Sequence, residues 1–316
     1  MSNFFDSVKD KATAATAFKN DLEVAVIKAC NRKITPPKAK HVRLAILVAT
    51  NSRSVAMADL FRLISDRLKE NNWVIVFKAL ILVHHLSRES AGDRVLGYLA
   101  TQPTVLNLQS FKDKTSSPAG VEQAKNIRVY AAYLEEKVFS FRDLKIDYCR
   151  DNGDLTSTLR SMSIPAGLFK HVEILNRLVK ALINCKYYLD ELDNAVTLES
   201  FKFLVKDSLK LYHALNEGVI KILDKYFEMT KEDAKKALEL YKQFNEVTDK
   251  IIDFFKVAKR VESGLSTQIP DIKSPPASLI DSLTEYLQNF ESNQKELTRK
   301  QSSPPRQALI DFHGIF

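Results

Sequence analysis

Apolar residues return every three or four positions along nearly every long segment of this chain, and that period excludes most folds before any motif is considered. In "VEQAKNIRVYAAYLEEKVFSFRD" the residues Ile127, Ala131, Leu134, Val138 and Phe141 fall on one helical face. "NNWVIVFKALILVHHLSRE" is apolar on most sides from Trp73 to Leu86, as a helix enclosed by other helices is. From Leu198 to Val261 the pattern runs almost without pause, with Thr230 and Asp233 as a capping box that restarts a helix inside it. No strand-period segment of any length stands out. Glycine numbers only 8 in 316 residues, which argues against a turn-rich β fold and against glycine-rich phosphate loops. The expectation is an all-α chain of about ten or eleven helices, with short connections favouring antiparallel neighbours. Breaks are expected at Pro36–Pro37, Thr115–Gly120, Asp151–Asp154, Pro165 and Ile269–Ser278. There is no strict repeat, so a helical solenoid has to be an irregular one.

Several function classes fall away. Cys30, Cys149 and Cys185 form no CxxC pair and read as buried thiols of a reducing compartment. The first residues, "MSNFFDSVKDKATAA", hold no apolar signal core, and no run of eighteen apolar residues exists. The expectation is a cytoplasmic protein whose membrane contact, if it has one, is peripheral. No phosphate-loop, dinucleotide, zinc-protease or nucleophile-elbow motif is present. His84 and His85 are adjacent, so on a helix they point in different directions and cannot share a metal ion; they read as packed side chains. No spacing of carboxylates singles out a catalytic pair. No catalytic residue, metal or cofactor is expected, and the chain does not read as an enzyme.

The net charge of +8 is modest for this length, but it is clustered. Lys28, Arg32, Lys33, Lys38, Lys40 and Arg43 fall within sixteen residues, and no acid occurs in the thirty-five residues between Glu23 and Asp59. Pro36 and Pro37 are expected to divide this stretch into two short helices that face each other. Most charge runs are simply solvated faces. Here Lys38 and Lys40 also fall in the first turn after Pro37, where unpaired backbone N–H groups and the positive helix end already favour anions. Lysines there cost stability unless an anion is bound. A phosphoinositide headgroup, a nucleic-acid phosphate or an acidic peptide would each serve. Nucleic acid is the weakest of these, because the segment has no aromatic for stacking and no side-chain row suited to a major groove.

The first residues bear on that choice. On a helical wheel Phe4, Val8, Ala12 and Ala15 align with Phe5 at the edge, opposite Asp6, Asp10 and Thr13. This describes a short amphipathic helix placed before the basic cluster and able to lie on a membrane. A frayed terminus whose aromatics pack on the core is the alternative.

Lys28, nine intervening residues and then Lys38-Ala39-Lys40-His41 resemble the phosphoinositide motif of ANTH domains, the N-terminal module of CALM-type clathrin assembly proteins. "NNWVIVFKALILVHHL" (Asn71–Leu86), "NEGVIKILDKYFEM" (Asn216–Met229) and "IPDIKSPPASLIDSL" (Ile269–Leu283) are similar to segments of the same family in the same order. The resemblance implies an all-α superhelical solenoid over residues 19–290, preceded by a membrane-inserting helix over 1–18 and followed by a flexible tail over 291–316. It implies binding of phosphatidylinositol 4,5-bisphosphate through Lys28, Lys38, Lys40 and His41, with Phe4, Phe5 and Val8 entering the bilayer. It also implies promotion of clathrin coat assembly during endocytosis, at the plasma membrane and in coated pits and vesicles.

A second partner is implied by the same resemblance. CALM-type members receive the helix of a vesicle R-SNARE in a groove of their late helices, which matches Gly218–Val261 and Leu279–Leu287 here. The apolar stripe of Leu223, Val247 and Ile251 reads better, residue by residue, as ordinary core. The tail has no NPF or DPF tripeptide, and "LIDFH" (Leu309–His313) half resembles a clathrin box but lacks its final acid and reads as chance; the clathrin partner that the resemblance implies is open to contact through regions beyond this chain. The competing reading is a helical scaffold whose basic patch docks acidic protein segments without lipid specificity.

Overall fold

A computed structural model describes residues 20–290 apart from 52–53, 90, 116, 151–155, 188–193 and 266. Phe4, Phe5 and Val8 lie outside the described residues, as do the whole of 1–18 and 291–316. The described residues form eleven α-helices and no strand: α1 (20–29), α2 (Ala39–Asn51), α3 (Ser54–Leu68), α4 (Trp73–Arg88), α5 (Gly92–Ala100), α6 (Gly120–Leu144), α7 (Thr156–Ser161), α8 (Leu168–Ile183), α9 (Ala195–Asp224), α10 (Lys231–Arg260) and α11 (Ala277–Gln288). No described helix is long and apolar enough to cross a membrane.

The chain divides into two compact units. The first comprises the described residues up to 150 together with those of 187–203, and α4 is its centre. Fourteen of the sixteen α4 residues are buried, against α2, α3, α5 and α6, as expected for a helix apolar on most sides. Side-chain caps set where α4 begins. Asn72 Oδ1 accepts from the N–H groups of Val74 and Ile75, and the Asp113 carboxylate accepts from Trp73 N at 2.9 Å. Three first-turn donors are thereby satisfied, and such caps contribute about 1 kcal/mol each. His84 is packed as expected: it is fully buried, Nδ1 lies 2.7 Å from the Tyr130 hydroxyl, and its ring rests against Phe203.

The second unit comprises the described residues of 156–186 and 204–290. Its helix α10 packs against both α8 and α11. Thr230 caps α10 by accepting from Asp233 N, so the helix restarts where the capping pair places it. Within this unit Gly218 of α9 lets that helix approach α8; a Cβ there would lie 2.6 Å from Val172 Cγ2. Leu223, Val247 and Ile251 are all buried. Helix α11 is fastened by two hydroxyls. Tyr226 donates to the Leu283 carbonyl at 3.0 Å, and Tyr286 donates to the Phe227 carbonyl at 3.1 Å.

All three cysteines are buried thiols. Burial pushes the Cys30 thiol up to about 12, against the opposing influence of Lys78 and Arg67, so it stays protonated. Burial raises the Cys185 thiol further still.

Candidate anion-binding site

The prolines do not end the first helix. Helix α1 stops at residue 29, because the Asn31 side chain reaches back and its Nδ2 donates to the Lys28 carbonyl at 2.6 Å. The expected pair of helices flanking Pro36–Pro37 is therefore separated by residues 30–38, which form no helix. Asn31 also organises the turn beyond it. Its Oδ1 accepts from Lys33 N at 3.0 Å and from Lys78 Nζ at 3.1 Å. Lys78 Nζ donates in addition to the Lys33 carbonyl at 3.3 Å. Thr35 N donates to that same carbonyl at 2.8 Å, which closes a three-residue γ-turn with Ile34 at its apex.

Lys78 was not legible as a site residue in the sequence. It comes from the middle of α4 and is fully buried, with burial pushing its pKa down. Both of its acceptors here are neutral. Burying a cation on neutral partners costs several kcal/mol in idealised terms, and its field is not cancelled locally. The charge therefore adds to the potential of the turn above it.

The prolines act on the other side of the turn. Pro36 and Pro37 hold the chain extended into α2, and the Lys38 carbonyl accepts the first helical bonds, from His41 N at 2.9 Å and Val42 N at 3.3 Å. Lys38 thus occupies the capping position, where its side chain cannot accept a hydrogen bond, and the first turn of α2 holds no acid. The leading N–H groups of α2 are left for solvent or a ligand.

Lys28, Lys38 and Lys40 are exposed and His41 is half-buried. All four lie around the turn that joins α1 to α2. The His41 imidazole is held below its ordinary 6.5, first by burial and then by the charges of Lys40, Lys28 and Lys38. Among the described residues none of Lys28, Arg32, Lys33, Lys38, Lys40 and Arg43 is in an ion pair, as expected from the acid-free interval around them. The arrangement offers donors from several directions to a multiply charged anion with separated phosphates. A small pocket lies alongside, between Pro37, Ala39 and Val42 on one wall and Ile81, His85 and Glu199 on another. Its glutamate makes it unfit for a phosphate, so the exposed lysines, not the pocket, form the candidate site.

An ANTH domain family model matches residues 21–289. Clathrin coat assembly protein AP180 of Mus musculus is 37% identical over 268 residues, which is 84% of this chain and 29% of that protein. The phosphatidylinositol-binding clathrin assembly protein of Homo sapiens is 35% identical over 288 residues, 90% of this chain and 43% of that protein. An ENTH domain-containing protein of Schizosaccharomyces pombe is 36% identical over 291 residues, 91% of this chain and 44% of its own length. The chain therefore spans less than half the length of these three relatives. Among solved structures, the ENTH domain from epsin-2 in complex with phosphatidylinositol 4,5-bisphosphate superposes with a TM-score of 0.63 at 14% identity, covering 81% of this chain and 98% of that one. At that identity the match shows a shared helical fold.

Proposed function

Because this chain belongs to the ANTH domain family, a family of non-enzymatic modules, we propose that it is a peripheral membrane adaptor that recognises phosphatidylinositol 4,5-bisphosphate and promotes clathrin coat assembly. The observation that carries this reading is that Lys28, Lys38 and Lys40 are exposed and in no ion pair around the turn into α2, whose first turn holds no acid. The names of the relatives, which speak of phosphatidylinositol binding and clathrin assembly, support the same reading. The protein would work at the cytoplasmic face of the plasma membrane, in coated pits and vesicles, with clathrin engaged through regions beyond this chain. Each Lys or Arg near an anionic leaflet contributes about 1 kcal/mol, so reversing two of them removes the effect of about four charges. Lys38→Glu with Lys40→Glu is expected to weaken sedimentation with phosphoinositide vesicles at least about 100-fold, at constant total vesicle charge and unchanged helix content. Wild-type sedimentation by this double variant would remove the site assignment.

A patch of this size gives marginal attachment by itself, and a second anchor is needed. Residues 1–18 are proposed to supply it as an amphipathic helix, with Phe4, Phe5 and Val8 in the bilayer surface. Phe4→Ser with Phe5→Ser is then expected to weaken vesicle binding strongly while soluble inositol trisphosphate still binds as in wild type. Equal losses in the two assays would assign the segment to the folded core.

The late helices are proposed to receive an R-SNARE helix. Leu283 is buried and α11 packs on α10, so α11 covers apolar surface that would otherwise lie open. Deleting residues 278–316 is expected to raise affinity for an R-SNARE peptide. Absence of binding with and without this segment would end that part of the proposal.

A further inference from the structure

Five large apolar residues are exposed among the described residues, and four of them, Val24, Ile27, Ile34 and Leu47, lie within one short stretch around the lysines. Exposed single apolar residues are ordinary. Four in one stretch, interleaved with cations, are not. On α1, Val24, Ile27 and Lys28 are spaced for one face, and on α2, Lys40, Arg43 and Leu47 are spaced for another; all six are exposed. Between the helices Ile34 stands at the apex of the γ-turn, 52% exposed, with Arg32 and Lys33 exposed before it.

Ile34 is the most informative of the four because its backbone is fixed. The Lys33 N–H is held by Asn31, and the Lys33 carbonyl is held by both Lys78 and Thr35. A loop that merely tolerated an isoleucine would let it fold inward. This turn is fastened from below by a buried lysine and holds a β-branched apolar side chain outward in water.

We propose that Ile34, supported by Val24, Ile27 and Leu47, is a wedge that enters the apolar edge of an anionic lipid bilayer while the surrounding lysines engage its phosphates. The occupant is lipid because the apolar residues share their faces with cations throughout, in an interval free of acids. Such a surface matches a bilayer interface, where apolar carbon lies directly beneath anionic headgroups. The inference rests on the phosphoinositide reading above and extends it. The headgroup site gives specificity, and Ile34 adds sequence-local depth that is separate from residues 1–18.

The test compares two probes: soluble inositol trisphosphate, and vesicles of phosphatidylcholine containing phosphatidylinositol 4,5-bisphosphate. Ile34→Ser is expected to weaken vesicle binding about five- to tenfold, the size expected for losing part of one apolar side chain's burial, with soluble inositol trisphosphate affinity unchanged. Ile34→Trp is expected to retain vesicle binding, because Trp favours the interface. Its fluorescence should be quenched by brominated lipid beyond that of the wild type, whose single tryptophan, Trp73, is buried. Unchanged vesicle binding by Ile34→Ser, or an Ile34→Trp signal insensitive to brominated lipid, overturns the wedge. Equal losses for both probes also overturn it, by making Ile34 part of the headgroup site. Lipid-free self-association of wild type that Ile34→Ser abolishes would assign the patch to a second copy of the chain and overturn it as well. Failure of the wild type to bind soluble inositol trisphosphate defeats the headgroup reading by itself, and quenching of Ile34→Trp on phosphatidylserine vesicles then still supports the wedge.

Discussion

Lys78 of α4 and Lys137 of α6 come from packed neighbouring helices and are buried to nearly the same degree, yet they meet opposite partners. Lys137 Nζ lies 3.1 Å from the Asp147 carboxylate, itself buried, so the pair closes its own field. Lys78 meets an amide oxygen and a backbone carbonyl, and its charge remains uncancelled beneath the basic turn. The first arrangement serves the fold. Asp147 also accepts from Cys149 N, so the pair fixes the chain as it leaves α6 through the left-handed Lys145. The second holds the basic turn above it, and its uncancelled charge would strengthen the proposed anion site. A buried lysine is therefore informative by its partner, not by its burial.

Substitution should separate the two roles, and the largest effect belongs to the closed pair. Lys137→Met leaves Asp147 buried without its cation and is expected to lower unfolding stability by about 3–5 kcal/mol, with headgroup affinity intact wherever the variant is folded. Lys78→Met removes a buried charge and takes one of two donors from each of the Asn31 amide oxygen and the Lys33 carbonyl, so its two stability terms oppose each other. Its net stability change is expected to be about 1 kcal/mol or less, well below that of Lys137→Met. The loss of charge and of turn geometry should lower affinity for soluble inositol trisphosphate about tenfold, near the effect of one charge-assisted contact. Denaturant unfolding and calorimetric titration of both variants check this pairing. If Lys78→Met left affinity at the wild-type level, the contrast between the two lysines would collapse.

How much of this was legible in the sequence depends on where the causes lie. The helical class and the exposed, acid-free basic cluster can be read, because period, Pro36–Pro37 and the acid-free interval are local features. Lys78 cannot be assigned a role that way. Its signal is a lone cation within the apolar run Trp73–Leu86, and its partners Asn31 and Lys33 are more than forty positions away. The end of α1 differs from expectation for a related reason. Proline is a visible helix breaker, whereas an Asn side chain that turns back onto a carbonyl looks like any polar residue until the turn is formed. The long connection from Thr101 to Ala119 is only partly foreseeable, as it is fastened by the distant contact of Asp113 with Trp73. The break between α8 and α9 is not among the expected ones.

The smallest expected effect is the most direct test, because it reports on whether bound phosphates sit among these lysines. In the free protein, burial and the charges of Lys40, Lys28 and Lys38 hold the His41 imidazole below 6.5. The folded state then binds fewer protons at His41 than the unfolded chain does. This contribution to stability is fully present above the unfolded value and is lost as pH falls through the lower, folded one. An occupied site reverses the balance, since a polyanion favours the imidazolium. Headgroup affinity should therefore rise a few-fold as pH falls through this range, and His41→Gln should flatten the dependence. The decisive measurement is the NMR titration of the His41 ring protons with and without soluble inositol trisphosphate. The expected result is a value below 6.5 in the free protein and a clear rise on binding. A His41 value that does not move when the ligand saturates would show that the bound phosphates do not sit among these lysines.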